Sequence, residues 1–426
     1  MSYEIPQQLA YKEKILFGLT FEQVGYALLF IPVALVVFFK TNWHVIVRWC
    51  LAFFLCCLAF LFMFFDFRSY LRNWIGFLKF RKADGFDERI VQFLEIRRIE
   101  DYSIVTRDGR IAILQVFPMN FGIKTDKEQK LIISQFRKFV NSLDFPIQIL
   151  IDTVPLRLSD YLDGVGEGVL PEYREYFEEY KKHLADVVCD RRIMNRNFYL
   201  IIPESGDLGV QVKLCEKRLN DLGLNTHLLG AVELGGVVVK FFDGDRLTFC
   251  PDCIENRVSF LRLNKVLNRV IVASGFPRVV DPGFLDRIVT LEGDFDVSLH
   301  VEPFSIECMI VLLNKELMKQ RADLFALQSK NMISPSLEIQ YNDTRLVLEA
   351  LQKGREKLFS LSFYVNCRAG CEKSLDLLQR RVMSELNSVM IVPGVPLFRM
   401  VDGFKSVAPL GKDLLGVSKF VTTHQN

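Results

Sequence analysis

The sequence predicts an α/β (α+β) protein: an N-terminal transmembrane helical hairpin followed by two two-layer α/β units, the second with an inserted helical hairpin. Three observations carry this. Two uncharged apolar runs lie close together near the N-terminus, apolar residues after about position 100 alternate with period two in some stretches and with helical spacing in others, and 426 residues exceed the ~100 to 200 usual for one domain. The expected divisions are 1–82, 83–234 and 235–426.

The membrane reading rests on QVGYALLFIPVALVVFF, residues 23–39, and on WCLAFFLCCLAFLFMFF, residues 49–65, which Val45 to Val47 extend to 45–65 with Arg48 snorkelling. A helix needs ~17 to 25 apolar residues to cross ~30 Å of hydrocarbon, so each run suffices. Trp43, Trp49 and Trp74 are placed as interfacial anchors, and Pro32 is tolerable in a lipid-buried helix. Between Asp66 and Lys82 stand five cations (Arg68, Arg72, Lys79, Arg81, Lys82) against one acid, with Lys12 and Lys14 before the first run. The positive-inside rule then puts both termini and the soluble residues in the cytoplasm of a two-pass protein of the cell (inner) membrane.

In the first soluble unit, Asp108-Gly109 separates YSIVT from IAILQVF and predicts a β-hairpin over about 102–117. A helical stripe runs from Leu131 to Leu143, the strand PIQILIDTV follows, and a second stripe runs from Tyr173 to Val187. The strand NFYLII and a helix near 208–222 close the unit. The second unit is expected to open with strands VVVKFF and LTFC. DVSLHVEP is a strand by alternation, and two helices form a hairpin over about 304–358 with Ser334 and Pro335 at the start of the second. FSLSFYVNC alternates again; a helix to about Leu386 and a strand around 389–393 complete the layer.

Composition excludes several classes. Lys and Arg number 53 against 51 Asp and Glu, a net charge of +2, so direct sequence-specific nucleic-acid binding is not expected. The ten cysteines read as free thiols of a reducing compartment. Cys250, Cys253, Cys367 and Cys371 could supply four thiolates to zinc, but the second pair is loosely spaced and over 100 residues separate the pairs, so packing roles are expected. His183 and His227 have no partner ligands at metal spacing and read as packing or surface residues. The sequence has no G-x-x-x-x-G-K-[ST], no G-x-G-x-x-G after a strand, no H-E-x-x-H and no G-x-S-x-G. Gly164, Gly166 and Gly168 read as a connection, and Glu178, Glu179, Asp243 and Asp245 as solvated charges. No catalytic residue and no cofactor are assigned.

Two stretches carry family resemblance. IPQQLAYKEKILFGLTFEQVGYALLF, residues 5–30, resembles the PrgI family of two-helix membrane proteins of conjugation systems, through a Pro-containing lead, Lys12 and Lys14, and the step Leu19-Thr20-x-x-Gln23 into the membrane. SGFPRVVDPGFLDRIVTLEGDFDVSLHVEP, residues 274–303, resembles the N-terminal region of the TraC/TraE/CagE conjugation ATPases of type IV secretion systems, with Phe276-Pro277 before Gly283-Phe284-Leu285 and a strand ending in Pro303. KGREKLFSLSFYVNC (353–367) and FKSVAPLG (404–411) continue it. In that family the motor follows the matched region, whereas this sequence stops at Asn426, so the motor is expected on a separate chain or to have been removed. The resemblance implies a membrane-anchored scaffold or docking subunit with four kinds of partner: a hexameric ATPase motor, other inner-membrane secretion subunits, the bilayer and further copies of itself. The alternative is a membrane-tethered enzyme or a transporter accessory protein with an unrecognised site.

Overall fold

The computed structural model describes residues 14–16, 19–40, 44–64, 67–84, 90, 93–155, 162, 165–166, 169–191, 194–242, 251–277, 280, 282–329, 334–353 and 357–422. Cys250, Asp243, Asp245, Gly164, Gly168, Trp43 and the expected strand LTFC lie outside them. The chain divides into two compact units, Pro6–Arg81 and the residues from Lys82 onward with the first five.

In the smaller unit a short β1 (Lys14–Leu16) pairs antiparallel with β2 (Leu19–Thr20). Two long helices follow, α1 (Phe21–Lys40) and α2 (Val45–Phe64), and then α3 (Phe67–Lys79). Phe30 meets Phe62 with ring centroids 5.6 Å apart while Phe38 meets Trp49 at 5.0 Å, so α1 and α2 run antiparallel. Both are long and apolar enough to cross a membrane, and they expose apolar side chains outward, including Leu28, Phe39 and Phe53.

The larger unit is mixed α/β around one antiparallel sheet. Its elements begin with β3 (Lys82–Asp84), β4 (Ile96–Glu100), β5 (Ser103–Thr106), β6 (Arg110–Val116), α4 (Asp126–Ser142) and β7 (Ile147–Pro155). There follow α5 (Arg174–Arg191), β8 (Met194–Pro203), α6 (Leu208–Asp221), β9 (Thr226–Leu228) and α7 (Ala231–Phe242). Next come β10 (Cys253–Asn256), β11 (Leu261–Leu263), β12 (Val266–Gly275), α8 (Asp286–Val289) and β13 (Phe295–Pro303). The last group is α9 (Ile306–Gln328), α10 (Pro335–Gln352), β14 (Leu358–Ala369), α11 (Glu372–Ser388), β15 (Val392–Gly394), α12 (Met400–Val407) and β16 (Lys419–Thr422).

The strand order is β3-β10-β11-β12-β14-β13-β7-β8-β6-β5-β4, with β15, β16 and β9 added beside β12, β14 and β6. The halves on either side of residue 234 share this sheet, because β7 pairs with β13 from Ile147–Val301 to Ile151–Val297. Asp108-Gly109 turns β5 into β6, and Thr106 closes that turn by donating its hydroxyl to the Gly109 carbonyl at 2.8 Å. Thr125 and Glu128 form a capping box that starts α4.

VVVKFF is helical, correcting the expected strand. Leu234, Val238, Phe241 and Phe242 are all buried, and their spacing of four, three and one is that of a helix face, so tertiary burial outweighs the β preference of three consecutive valines.

One face of the sheet is apolar. Leu114, Leu200, Ile202 and Val301 pack with Phe139 of α4 and Val212, Cys215 and Leu219 of α6. Farther along, Ile271, Val297, Phe363 and Val365 pack with Leu375, Val382 and Leu386 of α11. Gly283 turns the chain into α8 at φ +83°, a conformation that favours glycine; a Cβ there would also have to displace the Asp286 carboxylate, 2.7 Å away.

Candidate functional site

Strand alternation that sends apolar residues to one face sends polar ones to the other. Gln148 and Asp152 of β7, Asp296, Ser298 and His300 of β13, Ser362, Tyr364, Asn366 and Arg368 of β14 and Asn268 of β12 occupy this second face. All carry polar heads, yet little of any is exposed, because α7, α12 and the segment after it are bonded across them.

At the middle of that face Gln148 is the hub. Its Nε2 shares its hydrogens among the carbonyls of Val407 (3.1 Å) and Ala408 (3.0 Å) and Ser298 Oγ (2.9 Å), and its Oε1 accepts from the Gly411 N–H at 2.8 Å. Gly411 has φ +64° and a Cβ there would stand 3.1 Å from Pro203. Ser406 Oγ donates to the Asp402 carbonyl and accepts from the Leu414 N–H at 2.8 Å. Asp413 accepts from Ser362 Oγ at 2.6 Å and from the Tyr364 hydroxyl at 2.7 Å. Burial pushes the Tyr364 hydroxyl pKa up, and the Asp413 charge adds to this, so the phenol stays protonated as a donor. Glu95 grips Lys405 (2.6 Å) and Lys412 (2.8 Å), while Phe404 packs among Phe93, Phe241 and Phe242. FKSVAPLG, singled out in the sequence, is thus the strap across the polar face.

The face also holds a buried ion cluster. Arg368 donates through Nε to Asp294 at 2.9 Å and through a terminal nitrogen to Asp296 (3.1 Å) and the Thr153 carbonyl (2.9 Å). Lys240 of α7 reaches both oxygens of Asp152 at 2.5 Å and the Thr153 carbonyl at 2.7 Å. Three carboxylates thus meet two cations. Burial pushes the Asp296 carboxyl up to about 6, with Arg368 opposing the rise and the Asp152 charge adding to it. Asp296 Oδ1 accepts from Arg368 and from the Thr153 N–H, while its Oδ2 has no hydrogen-bond partner among the described residues.

Chemically, these groups hold the chain together. Every cation of the cluster is engaged, and at the hub the His300 Nε2 lies 2.6 Å from the Ser406 carbonyl, which can only accept. That nitrogen therefore carries the proton and cannot take one from Ser298, 3.3 Å away. Burial also lowers the His300 pKa, keeping the ring neutral.

Of the four cysteines weighed as zinc ligands, Cys367 lies buried in the apolar face on β14 and Cys253 stands on β10, the third strand along from β14. Three strand spacings are about 14 Å, far more than two Zn–S bonds of ~2.3 Å can bridge. Cys371 is exposed at the start of α11, on the wall of a cavity of about 810 Å³ beside Arg368, where Ser374 lowers its thiol pKa. His227 is exposed and pairs with Glu233 at 3.0 Å, and His183, Glu178 and Glu179 are exposed.

Residues 97–224, from within β4 to just past α6, match the family described as Archaeal TraC-like domain. This segment is TraC-like. It covers less than a third of the 426 residues, and no curated protein matches the chain. The TraC-like segment supplies Gln148, Asp152 and Thr153 to the polar face, while their partners at 296, 298, 368 and 406–411 lie beyond its end.

Proposed function

We propose that this protein is a membrane-anchored docking subunit of a conjugative or type IV secretion apparatus. The observation that carries the reading is the TraC-like segment at 97–224, built into one sheet with strands from the rest of a chain that also has two helices able to cross a membrane. In this reading α1 and α2 are a PrgI-like anchor, both termini are cytoplasmic, and the larger unit corresponds to the non-motor part of a conjugation ATPase. Its partners are a hexameric P-loop motor, neighbouring inner-membrane subunits and further copies of itself, and it hydrolyses no nucleotide, since the sequence lacks a glycine loop with a lysine to hold a β- or γ-phosphate.

The α9–α10 hairpin is the docking element in this proposal. Val311, Met318 and Phe325 recur every seventh residue on α9 and are exposed, as are Ile339 and Leu346 on α10, an apolar seam of the kind helices use to pair. The test is co-purification of the full chain, extracted from membranes, with a co-expressed P-loop motor of the same secretion locus. The motor is expected to co-purify with the native chain and to be lost when residues 326–340 are replaced by a Gly/Ser turn. A chain released from membranes by alkaline carbonate, or one that never retains the motor, overturns the reading.

A further inference from the structure

The helix α3 differs in kind from the two before it. At about 100° per residue, Tyr70, Leu71, Trp74, Ile75, Phe77 and Leu78 fall on one arc of roughly 160°, with Arg68, Arg72 and Asn73 outside it. Tyr70 is 64% exposed, Trp74 47%, Ile75 43% and Leu78 45%, so four large apolar or aromatic side chains of one stripe face outward. Arg68 and Arg72 are exposed beside them. Thirteen residues of helix span about 20 Å, too short for the ~30 Å of a bilayer core.

We propose that α3 lies in the plane of the membrane surface, its aromatic stripe sunk among the lipid chains and its arginines on the phosphates of anionic headgroups. The proposal rests on reading α1 and α2 as membrane spans. Two features choose the bilayer as the occupant. Only residues 65 and 66 separate the end of α2 from the start of α3, so if α2 spans, α3 begins at the lipid boundary. The residues from Asp66 to Lys82 also carry five cations against one acid, which complements an anionic leaflet. An amphipathic helix with aromatics on one side and arginines on the other buries its apolar face about 5–10 Å into the headgroup and acyl boundary. Such a helix sets the depth and orientation at which the chain leaves the membrane, and makes it sensitive to lipid charge.

The test uses the full chain in nanodiscs and its three tryptophans. The variant Trp43→Phe/Trp49→Phe leaves Trp74 as the reporter, and Trp43→Phe/Trp74→Phe leaves Trp49. Trp74 is expected to be quenched by lipids brominated high on the acyl chain about two-fold more than by lipids brominated at the chain terminus, and to be shielded from aqueous acrylamide. With Arg68→Gln/Arg72→Gln added, the preference of Trp74 for phosphatidylglycerol over phosphatidylcholine discs, read from its blue-shifted fraction, should fall about 30-fold. If Trp49 is quenched by lipid while Trp74 is open to acrylamide, the spans stand and the in-plane helix is wrong, its stripe then being a protein contact. If Trp49 is not quenched by lipid either, the anchor fails and this inference with it. A preference unchanged by the double arginine substitution overturns the role given to the headgroups.

Discussion

The two faces of the sheet are built from the same strands but by opposite chemistry. On β14, Phe359, Phe363 and Val365 meet helices through apolar contact, while Ser362, Tyr364 and Arg368 meet the strap and the ion cluster through directed bonds. Apolar contact tolerates a shift of an ångström; a bond from Gln148 to a particular carbonyl does not. The comparison teaches that the apolar face supplies bulk stability, whereas the polar face fixes which segment lies where. It joins the TraC-like strands to the last strands of the chain.

The contrast is open to direct attack, and the strongest blow should be Arg368→Met. It leaves the carboxylates of Asp296 and Asp294 without their guanidinium, and breaking a buried pair costs about 3–5 kcal/mol, read as a lowered urea midpoint of the full chain in detergent. A cost under about 1 kcal/mol would mean that the cluster is wet and contributes little.

Gln148→Leu comes next. It strands the Gly411 N–H and the carbonyls of Val407 and Ala408, and because the strap can lift and hydrate them the whole cost is about 1–3 kcal/mol. Faster proteolysis near residues 404–416 should accompany it, and a uniform loss without local opening would contradict the strap.

Of the sheet's two faces, the polar one carries the carboxylates and should respond to acid pH, with two arms of opposite sign. Burial pushes the Glu95 carboxyl up, but hydrogen bonds from Lys405 and Lys412 and their charges outweigh this and hold it below its ordinary value. A carboxylate depressed on folding contributes stability above its unfolded pKa near 4.5 and loses it as pH falls, so Glu95→Gln should flatten the acid limb below that value. Asp296 runs the other way. Its folded value of about 6 exceeds the unfolded 3.8, so its contribution is present below 3.8 and is lost as pH rises through 6. Asp296→Asn should therefore flatten that decline between pH 4 and 7 in stability measured across pH.

The smallest effect should come from the apolar face. Ile271→Val removes one buried methylene, costing about 0.5–1.5 kcal/mol with no change in the pH profile.

Legibility in the sequence followed the same divide. Apolar periodicity located α4, α6, β7, β8, β13 and β14 because their burial partners are generic, and Asp108-Gly109 marked its hairpin through backbone chemistry. The polar face was not legible. In IQILID, FDVSLHV and FSLSFYVNCR the alternate Gln148, Asp152, Asp296, His300, Ser362 and Arg368 look like a solvated side, and nothing local reveals the bonding partners that cover them, which for Ser362, His300, Arg368 and Gln148 lie 51, 106, 215 and 259 residues away. The available signal was their i, i+2 spacing on three separate strands. The short β10 and β11 were passed over because three or four residues hold too little period to register, and VVVKFF misled because its valines prefer a strand in isolation.

The wide separation of Gln148 from its strap has a consequence during synthesis. Its bonding partner Val407 lies 259 residues later, so at 5–20 residues per second the ribosome needs roughly 13 to 50 s to deliver it. The strap is missing for the whole of that interval, and until β13 follows, 150 residues after Gln148 at Ser298, β7 has β8 to pair with but no strand on its other edge; a bare strand edge is a template for other chains. Nascent chains of this protein therefore depend on whatever shields that edge until β13 emerges, and slowing translation between β8 and β13 should raise aggregation more than slowing it before β7 is made.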